Sequence, residues 1–329
     1  MKFPWVMLQR QMGDYTRKSY KVVLTGATGF IGRHLQNKLL DRGHKCTAYI
    51  RTRSKYSDSI ASGIKIIEGE LTDLQALTIA LSDADFVIYC AGSVRGLTTD
   101  DFQVANVDGL RNIVEATKNH RKCRFILISS LAASKPYISN YARSKRAGEK
   151  VLLGRAGLEW VIFRPPAIYG PGDREMKPIF RMIRSGLAPL IGPKEQRLSL
   201  LYVEDFANAV VDAVEKFDQC RGKIYEIDDG RPLGYSWFDI IAGARGNCHP
   251  VVKIRISPKL LFYIAVINEH VAKTLNYRPM LTVGKVREIH EQEWLCDNGD
   301  FTAATGWQAK FCLEEGLKLT FNRHHQRGS

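Results

Sequence analysis

Thr25-Gly26-Ala27-Thr28-Gly29-Phe30-Ile31-Gly32 is the stretch that decides the fold. The apolar run before it, over 20–24, reads as a buried strand. The apolar spacing after it, over 31–40, reads as a helix that stops at Gly43. Glycines at a strand-to-helix junction serve a turn that needs positive φ or a close backbone approach. The helix that follows points its free N-terminal amides at the same spot, which favours an anion. This layout holds a dinucleotide pyrophosphate, with Gly26, Thr28, Gly29, Phe30, Ile31 and Gly32 as the candidate contacts. A tight turn without a ligand is the competing reading.

Working outward, strands are expected at 45–50, 64–67, 86–89, 125–128 and 160–163, and helices at 71–81, 101–117 and 140–153. Alternation at this spacing predicts an α/β fold, a Rossmann-type doubly wound parallel sheet. After Arg164-Pro165-Pro166 the texture changes. Residues 166–193 are rich in Pro and Gly, 206–214 read as a helix and 223–227 as a strand, and the rest is mostly helical. The expected organisation is a flexible extension over 1–19, an NAD(P)-binding Rossmann domain over 20–165, a smaller and mostly helical substrate lobe over 166–321, and a tail over 322–329. The chain of the lobe can return to the sheet. The extension reads equally as upstream sequence ahead of a start at Met7 or Met12.

The seven cysteines are scattered and odd in number, with no CxxC pair. That argues against a disulfide framework and a metal site, and it predicts a reducing, cytoplasmic location. No signal-peptide layout and no apolar run of membrane-spanning length is present. The net charge of +14 reads either as a basic, well-solvated surface or as the mark of an anionic partner: a phosphate-bearing cofactor, a phosphate-bearing or carrier-linked small-molecule substrate, or a membrane surface. Nucleic acid is not expected, because no basic stripe carries interleaved aromatics. The apolar run 260–267, preceded by Lys253, Arg255 and Lys259, reads as a core helix of the lobe, with an amphipathic membrane patch as the alternative.

The end of the second strand separates NADP from NAD. An acid there serves the ribose hydroxyls of NAD, but no Asp or Glu occurs between Asp41 and Asp58. Arg51 and Arg53 stand there instead, and arginine suits a 2′-phosphate. NADP is therefore the favoured cofactor, with NAD as the alternative. Tyr141 and Lys145 are four residues apart and share a helix face. An ammonium near a phenol stabilises phenolate. Such a phenol can give a proton to a carbonyl oxygen, or take one from an alcohol, as a hydride moves. Ser130, with Ser129 as the alternate, ends the preceding strand and can bond the same oxygen. Asn106 can anchor a water or backbone link to Lys145.

An ordered set of motifs extends these two: GELTD (69–73), CAG (90–92), NVDGLRN (106–112), ISS (128–130), YARSK (141–145), RPPAIYGPGD (164–173) and RLSLLYVEDFANAV (197–210). With them the chain resembles the extended short-chain dehydrogenases/reductases of the NAD-dependent epimerase/dehydratase group over about 20–321. The resemblance implies that Glu70 and Leu71 lie near the adenine, that Ala91 and Gly92 line the cofactor, and that Pro166 and Ile168 approach the nicotinamide. It also implies a homodimer through the helices at 101–117 and 140–153. In sugar-nucleotide relatives an arginine near Arg197 holds the substrate diphosphate; a solvated Arg197 is the other reading.

Two positions and two features of one segment depart from the family pattern. Glu70 stands for the usual Asp, Leu110 for the usual Thr, ten residues separate Ser130 from Tyr141, and no carboxylate lies between those two. The last point removes the acid pair of the sugar dehydratases. Three functions stay open: a reductase or dehydrogenase acting on a ketone or secondary alcohol with NADP(H), a nucleotide-sugar epimerase with tightly bound NAD, and a non-catalytic nucleotide-binding scaffold.

Overall fold

The computed structural model describes residues 18–52, 59–120, 123–245 and 250–322. Six parallel strands come first: β1 (Lys21–Thr25), β2 (Lys45–Ile50), β3 (Lys65–Glu68), β4 (Phe86–Tyr89), β5 (Arg124–Ile128) and β6 (Trp160–Arg164). They alternate with helices α1 (Phe30–Asp41), α2 (Leu74–Leu81), α3 (Thr99–Gln103), α4 (Gly109–Ala116) and α5 (Asn140–Leu153). The remaining elements are strands β7 (Ala167–Tyr169), β8 (Leu187–Leu190), β9 (Arg197–Leu198), β10 (Leu200–Tyr202), β11 (Ile224–Glu226), β12 (Val252–Arg255) and β13 (Glu293–Trp294). The helices among them are α6 (Lys177–Arg184), α7 (Val203–Glu215), α8 (Phe217–Cys220), α9 (Trp237–Arg245), α10 (Pro258–Leu275), α11 (Val283–His290), α12 (Gly299–Thr305) and α13 (Leu313–Asn322).

The central sheet has the order β11-β6-β5-β4-β1-β2-β3 and every pairing in it is parallel. The strand order reverses between β1 and β4, and the crevice beyond the carboxyl ends at such a reversal is where open α/β sheets take ligands. The strands read as continuous apolar runs because helices cover both faces. One face packs Leu35 and Leu39 of α1 with Phe206, Val210 and Val214 of α7 and with Phe301. The other packs Leu77 and Leu81 of α2, Leu110, Ile113 and Val114 of α4, and Leu152 of α5. The second lobe has its own core around Tyr169, Phe180, Tyr202, Trp237 and Leu317. It contributes β11 to the sheet, so the chain does return to it.

Differences from the sequence reading have local causes. The expected helix at 71–81 starts at Leu74, because the Asp73 side chain accepts from Ala76 N–H and caps it. The helix expected over 101–117 is interrupted by a π-helical turn at Val104–Asp108. The lobe contains three two-stranded parallel pairs, β7 with β10, β8 with β12 and β9 with β13. Strands this short carry no periodic signal. The run 260–267, expected as a core helix, lies in α10 with most of its apolar side chains in solvent. No helix among the described residues is long and apolar enough to cross a membrane.

Candidate active site

The glycine turn leaves β1 at Thr25 and enters α1 at Phe30. Gly26 has φ +66°, and a Cβ there would stand 2.6 Å from the Cys90 carbonyl oxygen and 2.7 Å from the Ala91 nitrogen. A Cβ on Gly32 would overlap the Gly26 carbonyl oxygen, so the first turn of α1 packs directly on the loop. Gly29 caps α1 without a side-chain acceptor, and no acid lies in its first turn. The free amides beyond Thr28 and Gly29 therefore face an open, electropositive helix end, while Phe30 and Ile31 turn partly inward. A dinucleotide pyrophosphate fits this cradle on both steric and electrostatic grounds.

The other expected cofactor contacts lie on the same edge of the sheet. Arg51 directly follows β2 and is exposed; Arg53 lies outside the described residues. Glu70 and Leu71 follow β3, where the Tyr49 hydroxyl donates to the Glu70 carbonyl (2.8 Å) and Asn112 Nδ2 donates to the Leu71 carbonyl (2.9 Å). Both contacts fix the backbone and leave the Glu70 side chain exposed. Ala91 and Gly92 follow β4, and the Ala91 amide donates to Thr25 Oγ1 (3.2 Å). Pro166 and Ile168 follow β6, with Ile168 paired to Leu201.

The catalytic candidates meet beside this edge. Ser139 caps α5 by accepting from Ala142 N–H (3.0 Å), and Tyr141 and Lys145 leave the helix on one face. Lys145 Nζ donates to the Ile128 carbonyl (2.8 Å), which is the last residue of β5. Burial pushes the Lys145 ammonium down to about 8, with Cys90 and Glu149 pulling it back. Burial also pushes the Tyr141 phenol up to about 12, opposed by a hydrogen bond from Ser130. The expectation that Lys145 lowers this phenol is not what the structure shows, because burial dominates and Ser130 supplies the opposing contact. Ser130 also accepts from Ala132 N–H (3.2 Å), which fixes its rotamer.

Ser129, the alternate serine, points the other way and donates to Glu149 Oε1 (2.7 Å) in the core. Asn106 does not reach Lys145 directly. Its Nδ2 donates to Ser144 Oγ (2.8 Å) and to the Ser93 carbonyl (3.1 Å), and its Oδ1 accepts from Ser93 N–H (3.0 Å). Asn106 thus ties the loop after Gly92 to α5. It sits in the π turn, a form that recurs at functional sites.

Tyr141 opens into a cleft whose other walls include Leu97, Phe102, Glu269, Met280 and Glu288. The Phe102 ring lies 6.1 Å from the Tyr141 ring. Glu288, which accepts from the Ser139 hydroxyl, and Glu269 come from the second lobe and had no sequence signal. Gly148 had one: a glycine inside a helix invites a packing reason. A Cβ there would overlap the Asn106 carbonyl oxygen, so Gly148 is what lets α5 press on the π turn. Arg197 does not line the cleft; its guanidinium stands 3.8 Å from Asp239 and is half exposed.

The comparisons with known proteins agree with this geometry. The profile of the NAD dependent epimerase/dehydratase family matches residues 22–228. A ceramide reductase of Caulobacter vibrioides is 33% identical over 313 residues, covering 93% of this chain and 95% of that protein. A 2-alkyl-3-oxoalkanoate reductase of Stenotrophomonas maltophilia is 29% identical, covering 91% and 97%. Among solved structures, a UDP-glucuronic acid 4-epimerase of Bacillus cereus, with UDP-glucuronic acid and NAD, superposes with a TM-score of 0.71 at 19% identity, covering 93% and 99%. That last likeness shows the fold.

Proposed function

The chain belongs to the NAD-dependent epimerase/dehydratase family, and from that premise we propose that this dehydrogenase/reductase-type enzyme reduces the ketone of a long-chain, largely apolar molecule, with NADPH as the preferred cosubstrate. The observation that carries the reading is Tyr141 at the wall of a cleft, with Ser130 bonded to its phenol, Lys145 one helical turn away, and burial keeping the phenol protonated at neutral pH. That is the form a reduction uses. Tyr141 donates its proton to the carbonyl oxygen, the Ser130 hydroxyl bonds the same oxygen, and Lys145, held by the Ile128 carbonyl, carries the positive charge beneath them. A nicotinamide dinucleotide, bound on the glycine cradle, would supply the hydride. Exposed Arg51 at the end of β2 supports the 2′-phosphate preference. The names of the two reductase relatives, one with a ceramide and one with an alkyl-substituted 3-oxo acid, support an aliphatic substrate.

The purified protein is to be denatured and any released nucleotide identified, after which NADPH and NADH are titrated separately. Little retained nucleotide, tighter NADPH binding and ketone-dependent NADPH oxidation are expected. Stoichiometric NAD that never turns over would overturn the proposal and favour the epimerase. An Arg51→Ala variant is expected to lose about tenfold in NADPH affinity and little in NADH affinity.

A further inference from the structure

Helix α10 has two apolar faces, and one of them stands largely in solvent. Leu261 and Ala265 are buried against Ile256, Leu281, Val283, Val286 and Ile289, and Ala272 is buried on the same side of the helix. Leu260, Tyr263, Ile264, Ile267, Val271 and Leu275 repeat at the same helical spacing on the outward side. Their exposures are 53%, 63%, 42%, 63%, 39% and 69%. An apolar stripe of this length on a water-soluble surface marks an interaction site.

We propose that this stripe docks the protein onto an anionic lipid bilayer, with α10 lying in the interface. Charge selects the occupant. Lys253, Arg255, Lys259 and Lys273 are exposed on α10 and on β12, the strand that leads into it. Within 252–278 the one acid is Glu269, and its carboxylate already accepts from Val283 N–H (2.7 Å). A second copy docked face to face would stack these cations against their equivalents. Anionic headgroups instead accept them, while the long lysine stems follow the apolar stripe inward. Helix α10 is too polar on its other sides to cross the bilayer, so it lies on the surface.

The position has a consequence for the cleft. Asn268 Nδ2 donates to the Leu281 carbonyl (2.7 Å), so α10 carries the 279–282 segment that lines the cleft opposite Tyr141. Docking through α10 therefore engages the helix that holds one wall of the cleft. The proposal stands whichever carbonyl compound is reduced.

The test is co-sedimentation of the full chain with vesicles of phosphatidylcholine alone, or of equimolar phosphatidylcholine and phosphatidylglycerol. Binding to the mixed vesicles that weakens with salt is expected, each basic side chain near the surface strengthening it about fivefold. The Ile264→Glu/Ile267→Glu variant is expected to bind at least about tenfold more weakly while NADPH affinity and far-UV circular dichroism stay unchanged. Ile79→Glu, an exposed apolar position on α2, is expected to change nothing. In a separate Ile267→Trp variant, the indole emission is expected to shift to the blue on mixed vesicles. No binding, binding that survives the double substitution, or a solution dimer that the double substitution dissociates would each overturn the proposal.

Discussion

Lys145 works against the fold that holds it. Its ammonium is held at about 8, below the ordinary 10.5, by burial. Below pH 8 the folded protein carries a charge it would rather not bury. Between pH 8 and 10.5 the unfolded chain holds the extra proton, so stability from this group rises with pH, and above 10.5 the cost is gone. Lys145→Met is therefore expected to be more stable than the parent at pH 7 by about 1–3 kcal/mol, with the gap closing by pH 10.5. Urea denaturation at both pH values reads this directly, and a variant that is less stable at pH 7 would refute it. Tyr141→Phe removes one hydroxyl and leaves the ring against Phe102. It is expected to lower kcat about 10²- to 10⁴-fold with NADPH binding kept, as titration and steady-state kinetics will show. The placement of Ser130 just beyond a strand end and of Tyr141 and Lys145 on one helix face was legible, because the apolar run and the helical spacing around them are long enough to read. The state of the phenol was not, since it depends on what buries it, and Glu288 and Met280 arrive from far along the chain.

At the scale of elements, one buried carboxylate holds α5 to the sheet. Glu149 accepts from Arg164 through Nε (2.8 Å) and Nη2 (2.7 Å), from Ser129 Oγ (2.7 Å) and from Arg146 (3.2 Å). Its side chain is fully buried and that of Arg164 is 11% exposed. Removing the acid strands a guanidinium in the core. Glu149→Leu is expected to cost about 3–5 kcal/mol, while Glu149→Leu with Arg164→Met recovers most of it. A double-mutant cycle by chemical denaturation checks the pair; an additive result would mean that the two do not depend on each other. Register of α5 matters because Tyr141 and Lys145 ride on it, about two turns and one turn before this anchor. The π turn at Val104–Asp108 is the companion device. The Tyr89 hydroxyl donates to the Ala105 carbonyl (2.6 Å), and Gly148 leaves room for Asn106. Sequence periodicity predicted one long helix there, because Phe102, Asn106, Leu110, Ile113 and Val114 keep helical spacing straight through the π turn.

Over the whole molecule, the Rossmann half was readable and the substrate lobe was not. The sheet's first six strands are apolar runs that alternate with helical spacing, whereas the strands of the lobe form parallel pairs two to four residues long whose partners lie far apart in the sequence. The lobe is also less separate than its change of texture at Pro165 implies. Helix α7 comes after that point, yet Phe206, Val210, Val211 and Val214 are fully buried against the sheet, beside Leu35 and Phe163. His34 of α1 reaches Glu204 (2.7 Å) and the Pro171 carbonyl (2.9 Å) across the same seam. A chain ended at 165 would expose the sheet face that α7 covers, and would lose β11, the strand that closes the edge at β6. The two parts are therefore expected to unfold as one cooperative unit, with a single calorimetric transition and equal calorimetric and van't Hoff enthalpies. Saturating NADPH should raise that one transition whole, because a ligand that binds only the folded state stabilises every part that unfolds with its site. Two transitions, with the nucleotide moving one of them, would show instead that the lobe folds on its own and that α7 belongs to the sheet only in passing.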